Sequence, residues 1–220
     1  VGNFKKWLFL QEENLEKLKY GRPKQDAYLV GKDTPDFDSN WKTISLPEPP
    51  KNDSQETQQE LKQILKFRNT NSSEVLKRIE EQDREDLETC FIELLEQQGE
   101  TLDKSLKEKI VKVSEELSTI SLSFKIKFDR PRPFQILKAQ GKDAGPKGKT
   151  TDSPSYPSTH AVIGTFMGAW LSRLYPKHRS QLRKLGKEIG DNRVKAGFHF
   201  QSDCDTGNWL AKKLMQFFKL

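Results

Sequence analysis

Between Leu102 and Lys127 apolar side chains return every three or four residues, at Leu106, Ile110, Val113 and Leu117. No run of the chain alternates apolar and polar residues with period two. The first spacing lines one face of an α-helix, whereas a half-buried strand needs the second. The helical period recurs elsewhere. Asp53 or Ser54 caps an expected helix with Leu61, Ile64, Leu65 and Phe67 on one side. Ser72 or Ser73 caps another, with Val75, Leu76 and Ile79 expected inward, and Leu87, Cys90, Phe91, Leu94 and Leu95 mark a third stripe. Three more helices are expected, from about Pro157 to Leu174, Lys177 to Ala196 and Ser202 to Phe218. The pattern implies an all-α domain built as a helical bundle.

The N-terminal segment reads differently. Residues 1–20 fit an amphipathic helix with Phe4, Leu8, Leu15 and Leu18 loosely periodic. From 21 to 53 Pro, Gly and Asp recur, and Leu46-Pro47-Glu48-Pro49-Pro50 forbids helix. We therefore divide the chain into a helix and extended arm (1–44) and a helical domain (45–220). Residues 138–153 are rich in Gly and Lys and are expected to form a mobile loop.

With 33% hydrophobic and 32% charged residues, the 220-residue chain must make an economical core under a densely ionised surface. Its net charge of +6 favours anionic partners without choosing among phosphate esters, nucleic acid and acidic membranes. The most apolar window, Ala161 to Leu174, is too short for a membrane span of roughly 18–20 residues and contains Arg173, so no transmembrane segment is expected. The chain begins at Val1 and shows no basic, apolar and small-residue leader. Cys90 and Cys204 lack metal-ligand spacing and read as free thiols.

The residues with chemistry gather in three clusters. The first runs from Lys125 through Asp129, Arg130 and Arg132-Pro133 to Phe134. The second is Ser155-Tyr156-Pro157-Ser158-Thr159-His160. The third spans Asn192-Arg193, His199 and Asp203.

In this order the set resembles the three-part signature of the type 2 phosphatidic acid phosphatase and vanadium haloperoxidase superfamily. Lys125 is followed after six residues by Arg132-Pro133; Pro157-Ser158-Thr159-His160 matches the second part; Arg193, His199 and Asp203 match the third. The stretches around His160 and His199, with Leu46 to Pro50 and Arg68-Asn69-Thr70, resemble class A bacterial non-specific acid phosphatases. The likeness covers residues 45–220. Two positions depart from the common pattern: Thr159 stands in place of Gly, and Asn192 in place of Ser. Thr159 restricts backbone freedom and so bears on pocket shape and substrate preference, whereas Asn192 keeps a hydrogen-bonding side chain and is expected to have the smaller effect.

The resemblance implies the helical bundle of the acid phosphatase and haloperoxidase type, and a phosphatase for small phosphate monoesters that uses no metal. The residue types suit that chemistry. Arg132 and Arg193 offer planar forks to phosphate oxygens, and Lys125 a point charge. Ser158 and backbone N–H groups near Thr159, at a helix start, add donors. His199 is the expected nucleophile, forming a phosphohistidine, with Asp203 holding its other ring nitrogen. His160 is the expected proton donor to the leaving group. No cofactor is expected, and vanadate should inhibit as a phosphate analogue. Relatives of this type are usually exported to the periplasm and often form oligomers, so the resemblance implies a periplasmic or secreted chain and allows a homo-oligomer; the lack of a leader would fit a cytoplasmic chain.

Two other functions fit parts of this pattern: a vanadate-dependent haloperoxidase, and a non-catalytic helical protein that binds anions or nucleic acid. No nucleic-acid partner is expected, because the lysines of 138–153 have no interleaved aromatics to stack on bases. Asp129 and Tyr156 are candidate rim residues of the pocket, His178 reads as a surface residue, and Phe166 and Trp170 as core.

Overall fold

The structure is a computed structural model that describes residues 15–21 and 32–219. Most of the expected N-terminal helix, including Phe4 and Leu8, lies outside the described residues. Eight α-helices follow in chain order among the described residues: α1 Gln55–Thr70, α2 Ser73–Gln82, α3 Thr89–Gln97, α4 Lys104–Phe128, α5 Pro133–Ala139, α6 Thr159–Leu174, α7 Arg179–Lys195 and α8 Gln201–Leu214. Among those residues the β pairing is a single bridge between Phe37 and Phe218, so the chain is all-α as its periodicity implies.

The starts of these helices are written in their caps. Ser54 Oγ accepts the Thr57 N–H at 3.2 Å, Ser72 Oγ that of Val75 at 3.3 Å, and Asp103 Oδ1 that of Leu106 at 2.7 Å. Each satisfies an N–H that the first turn leaves without an intrahelical partner. Helix α4 stops at Asp129, whose φ of 48° ends the helical run.

Helix α6 is the centre. Buried on nearly every side, it packs against α4, α7 and α8. Its crossing with α7 is close because glycines face each other there: a Cβ on Gly186 would lie 2.2 Å from the Gly164 carbonyl oxygen. Ile110, Val113 and Leu117 of α4 meet Phe166 and Trp170 of α6 in the main core, and each such buried side chain stabilises by about 1.5–3 kcal/mol. Phe37, Trp41 and Leu46 from the extended N-terminal segment join the same core. A second apolar cluster joins Leu15, Leu61, Ile64, Ile136, Val194 and Phe200 beneath the other side of α6.

Several expectations need correction. Helix α2 leaves Val75 and Ile79 only half-buried, and Leu76, expected inward, is 54% exposed. It binds α7 through polar groups instead, with Arg78 and Gln82 each 2.8 Å from Glu188. His178 is buried rather than on the surface, its Nε2 2.7 Å from Glu100 Oε1. Helix α5 has no counterpart among the helices expected from periodicity. The 138–153 segment is also fastened: Arg68 donates to the carbonyls of Asp143 and Ala144, and Arg132 to that of Ser153. Phe166 and Trp170 are core, as expected.

Candidate active site

The three sequence clusters converge where the last turns of α4 and α7 meet the first turns of α6 and α8. Lys125, on α4, is buried, and its ammonium donates to the Pro154 and Ser155 carbonyls. Lys127, two residues on, is exposed and lies over the Phe128 ring. Arg132 caps α5 and is buried; its Nε donates to Ser153 O at 2.8 Å and its Nη1 to Phe198 O at 2.9 Å. Burial, then the nearby charge of Arg193, lowers its pKa to about 9, so it remains a cation at neutral pH.

Arg193, in the last turn of α7, donates to Asp83 Oδ1 at 2.8 Å and to Thr150 Oγ1 at 2.9 Å, and its guanidinium stacks on Phe198. Its Nε has no partner among the described residues. Burial pushes Asp83 up, but hydrogen bonds from Arg193 and Thr150, the Arg193 charge and the Lys149 N–H bring its pKa down to about 2. Asp83 is absent from the site expected from sequence. It closes an acid-rich helix end, Glu80-Glu81-Gln82-Asp83, which looks like any solvated terminus.

Ser158 is the N-cap of α6, its Oγ accepting the Ala161 N–H at 3.4 Å. That leaves the hydroxyl proton to donate elsewhere. His160 is 8% exposed, and its Nε2 has no hydrogen-bond partner among the described residues. Burial, then the charges of Arg193 and His199, hold its pKa well below the ordinary histidine value.

His199 sits just before α8, which begins at Gln201, so helix does not run from His199 to Asp203. Asp203 instead reaches back from the third position of α8. Its Oδ2 accepts the Phe200 N–H at 2.9 Å and lies 3.2 Å from His199 Nδ1. On the other side, His199 Nε2 is 3.1 Å from Arg132 Nη1. Arginine can only donate, so Nε2 carries the lone pair and Nδ1 the proton directed at Asp203. Burial, then Arg132, Lys125 and Arg193, keep this ring neutral by pulling its pKa well below the usual value.

These groups open on a cavity of about 460 Å³ walled by Lys125, Arg132, Thr159, His160 and His199. Leu87, Leu122 and Ile163 supply an apolar wall beside them. On α4 the cavity face is Ser118, Leu122 and Lys125, which share one side of the helix at successive turns. Arg193, Ser158 and Asp203 stand behind the lining rather than in it. Two sequence candidates fall outside: Asp129 accepts the Gly21 N–H, and the Tyr156 hydroxyl donates to Pro47 O while its ring packs on Phe128. Asn192 is buried and donates to Gln82 Oε1. Among the described residues no group of three or more His, Cys, Asp or Glu side chains could hold a metal ion. Likewise, no helix among them is long and apolar enough to cross a membrane.

Comparison with known proteins gives one family match and several similar relatives. Residues 114–213 match the PAP2 superfamily model. The chain is 27% identical over 133 residues to a non-specific acid phosphatase of Providencia stuartii, covering 60% of this chain and 46% of that protein. It is 33% identical over 81 residues to a non-specific acid phosphatase of Salmonella typhimurium, 37% of this chain and 32% of the relative. An acid phosphatase of Zymomonas mobilis is 35% identical over 57 residues, 26% and 22% of the two chains. The matched stretches thus span less than half the length of each of these relatives.

Proposed function

On the premise that residues 114–213 belong to the PAP2 superfamily, we propose that this chain hydrolyses small phosphate monoesters through a phosphohistidine on His199, without a metal. One observation carries the proposal: in a single cavity, the lone pair of His199 Nε2 is fixed by Arg132 and Asp203, and a second buried imidazole, His160, presents an unpartnered nitrogen.

The phosphate group would sit against Arg132 and Lys125 in the lining, with Arg193 directly behind them as a second guanidinium whose Nε is otherwise unmatched. Ser158 and the first N–H groups of α6, at Thr159 and His160, complete the cradle at the positive end of that helix. Such fixed donors stabilise the equatorial oxygens as charge moves onto them. His199 Nε2 attacks phosphorus, the N–P bond forms, and the bond to the ester oxygen breaks. The imidazole gains positive charge, which Asp203 stabilises through Nδ1–H. His160 passes a proton to the departing alkoxide. Burial and the nearby cations hold His160 neutral, and the incoming phosphate, with close to two negative charges, favours its protonated form. In the second half His160 takes a proton from water, the water oxygen attacks phosphorus, the N–P bond breaks, and phosphate departs.

The leaving group would lie along the apolar wall of Leu87, Leu122 and Ile163. That supports an organic monoester as substrate rather than a polyphosphate.

The test is hydrolysis of p-nitrophenyl phosphate across about pH 4 to 8, with chelator present, in wild type and His199→Ala. Turnover that survives chelation, disappears in the variant and is blocked by vanadate is the expected result. An active His199→Ala protein, or activity lost to chelator, would sink the mechanism.

A further inference from the structure

Behind the cavity lies a buried charge network that the proposed chemistry does not use. Arg130, between α4 and α5, is 2% exposed. Its Nη1 donates to Asp203 Oδ1 at 2.6 Å and to Ser202 Oγ at 2.8 Å, and its guanidinium lies 4.2 Å from the centre of the Phe200 ring. Glu60 of α1 accepts the Ser202 N–H at 2.6 Å and the Ser202 hydroxyl at 3.1 Å, and its Oε2 is 3.6 Å from Arg130 Nη2. The hydroxyl of Ser202 therefore donates to Glu60 and accepts from Arg130, which defines both directions of the chain of bonds.

The consequence falls on Asp203. Its Oδ1 is held by Arg130, and its Oδ2 by the Phe200 N–H and His199 Nδ1–H. A carboxylate gripped at both oxygens cannot turn, so the acceptor facing Nδ1 is fixed. Through its other oxygen the carboxylate is also bonded to Arg130, at shorter range than to the imidazole, 2.6 Å against 3.2 Å. An Asp203 that answered to His199 alone would attract a proton onto that ring and fill the lone pair needed for attack.

We propose that Arg130, held by Ser202 and Glu60, is a positioning residue: it fixes the Asp203 carboxylate and keeps the His199 ring neutral, with the nucleophilic lone pair on Nε2. Its catalytic consequence rests on the phosphatase reading, but its effect on the ring does not. Arg130 reaches His199 only through Asp203, and several other groups surround the ring. Lys125 faces it from α4, Arg132 from the start of α5, His160 from α6, Arg193 with its partner Asp83 from α7 and the end of α2, and Asp203 from α8. Arg130 differs from the other cations in acting through the carboxylate rather than through the cavity.

Two substitutions separate charge from grip. Arg130→Gln keeps an N–H donor but removes the cation, whereas Arg130→Lys keeps the cation and loses the fork. The ring nitrogens of His199 are followed by NMR in labelled protein, where three histidines make assignment by single substitution practical. Arg130→Gln is expected to raise the titration midpoint of His199 by about one pH unit or more. Arg130→Lys should leave that midpoint within about half a unit of wild type and lower kcat on p-nitrophenyl phosphate about tenfold or more, with KM little changed. A ring that titrates alike in wild type and Arg130→Gln, or stays neutral over the same range in both, overturns the proposal. So does an Arg130→Lys enzyme with wild-type kcat. The titration needs no turnover, so an inactive wild type would count against the phosphatase reading while leaving the network to be judged on the ring alone.

Discussion

Asp83 and Arg193, 110 positions apart in the chain, meet through a 2.8 Å hydrogen bond between two buried charges. The carboxylate also accepts from Lys149 N and Thr150, so one aspartate ties the end of α2, the 138–153 segment and α7 together behind the cavity. Removing one partner leaves the other buried and uncompensated. Asp83→Ala should therefore cost about 3–5 kcal/mol in denaturant unfolding at neutral pH. The pH dependence has a definite sign. The folded pKa of Asp83, about 2, lies below its ordinary value of 3.8, so its contribution is full above that ordinary value and fades as pH falls toward the lower one. The stability gap between wild type and Asp83→Asn should narrow over that interval. A gap that stays constant there would show that the pair does not behave as an ion pair.

His160 offers a sharper kinetic test, because a proton donor matters only as much as its leaving group needs the proton. His160→Ala should lower kcat by about 10²–10⁴ on an alkyl monoester such as glycerol phosphate. On p-nitrophenyl phosphate, whose phenolate departs without help, the loss should be much smaller. Equal losses on both substrates would remove His160 from that role and leave it a phosphate ligand. In the proposed mechanism dephosphorylation would also draw on His160, so pre-steady-state burst measurements should accompany the comparison.

The parts of the fold and site that could be read from sequence are those set by local spacing. Ile110, Val113 and Leu117 announce α4 because a helix face is a local property. Lys125, Arg132, His160 and His199 could be picked out because distinctive residue types stand at fixed intervals, and the structure brings them into one cavity. What could not be read depends on distant partners. Asp83, Glu60 and Arg130 look like solvated charges until α2, α1 and the α4–α5 link are folded against α7 and α8. Val75, Leu76 and Ile79 mislead for the same reason: α2 docks through Arg78 and Gln82, and nothing in its own periodicity says that its neighbour offers Glu188. The Gly- and Lys-rich segment reads as loose, yet its fastenings come from Arg68, Asp83 and Arg132, distant from the bonds they make in it.

The crossing of α6 and α7 sets the distance between His160 and Arg193, and it depends on a missing side chain. A Cβ at Gly186 would sit 2.2 Å from a backbone oxygen, a contact that no rotamer change can relieve. Gly186→Ala must therefore push the two helices apart. Stability should fall by about 3 kcal/mol, at the upper end of overpacking costs, and kcat should fall with it because one wall of the cradle moves. Gly190→Ala is the control, since its Cβ would meet nothing closer than 3.4 Å. If both variants unfold and turn over alike, the close approach at Gly186 does not govern the site.

On the proposed function, the two histidines that line the cavity would make anion binding a proton-linked event. Both are held well below the ordinary histidine pKa, His160 by burial, Arg193 and His199, and His199 by burial, Arg132 and Lys125. Each is therefore neutral when folded, and its neutral form carries no stability penalty above an unfolded value of about 6.5; stability is lost as pH falls from there toward the depressed value. An anion in the cradle reverses part of the penalty by offsetting the surrounding cations, which raises the pKa of His160, the ring whose Nε2 has no partner among the described residues. Sulfate tests this cleanly because it stays a dianion throughout the range. Its affinity should increase as pH falls from about 8 to 5, and calorimetry in buffers of different ionisation enthalpy should record uptake of a fraction of a proton up to about one. His160→Asn should bind sulfate with a flatter pH dependence and little proton uptake, since the other ring of the cavity, His199, has a lone pair that already accepts from Arg132. Sulfate binding that is independent of pH in wild type would mean that His160 stays neutral beside a bound anion, and a neutral imidazole could not protonate the leaving group.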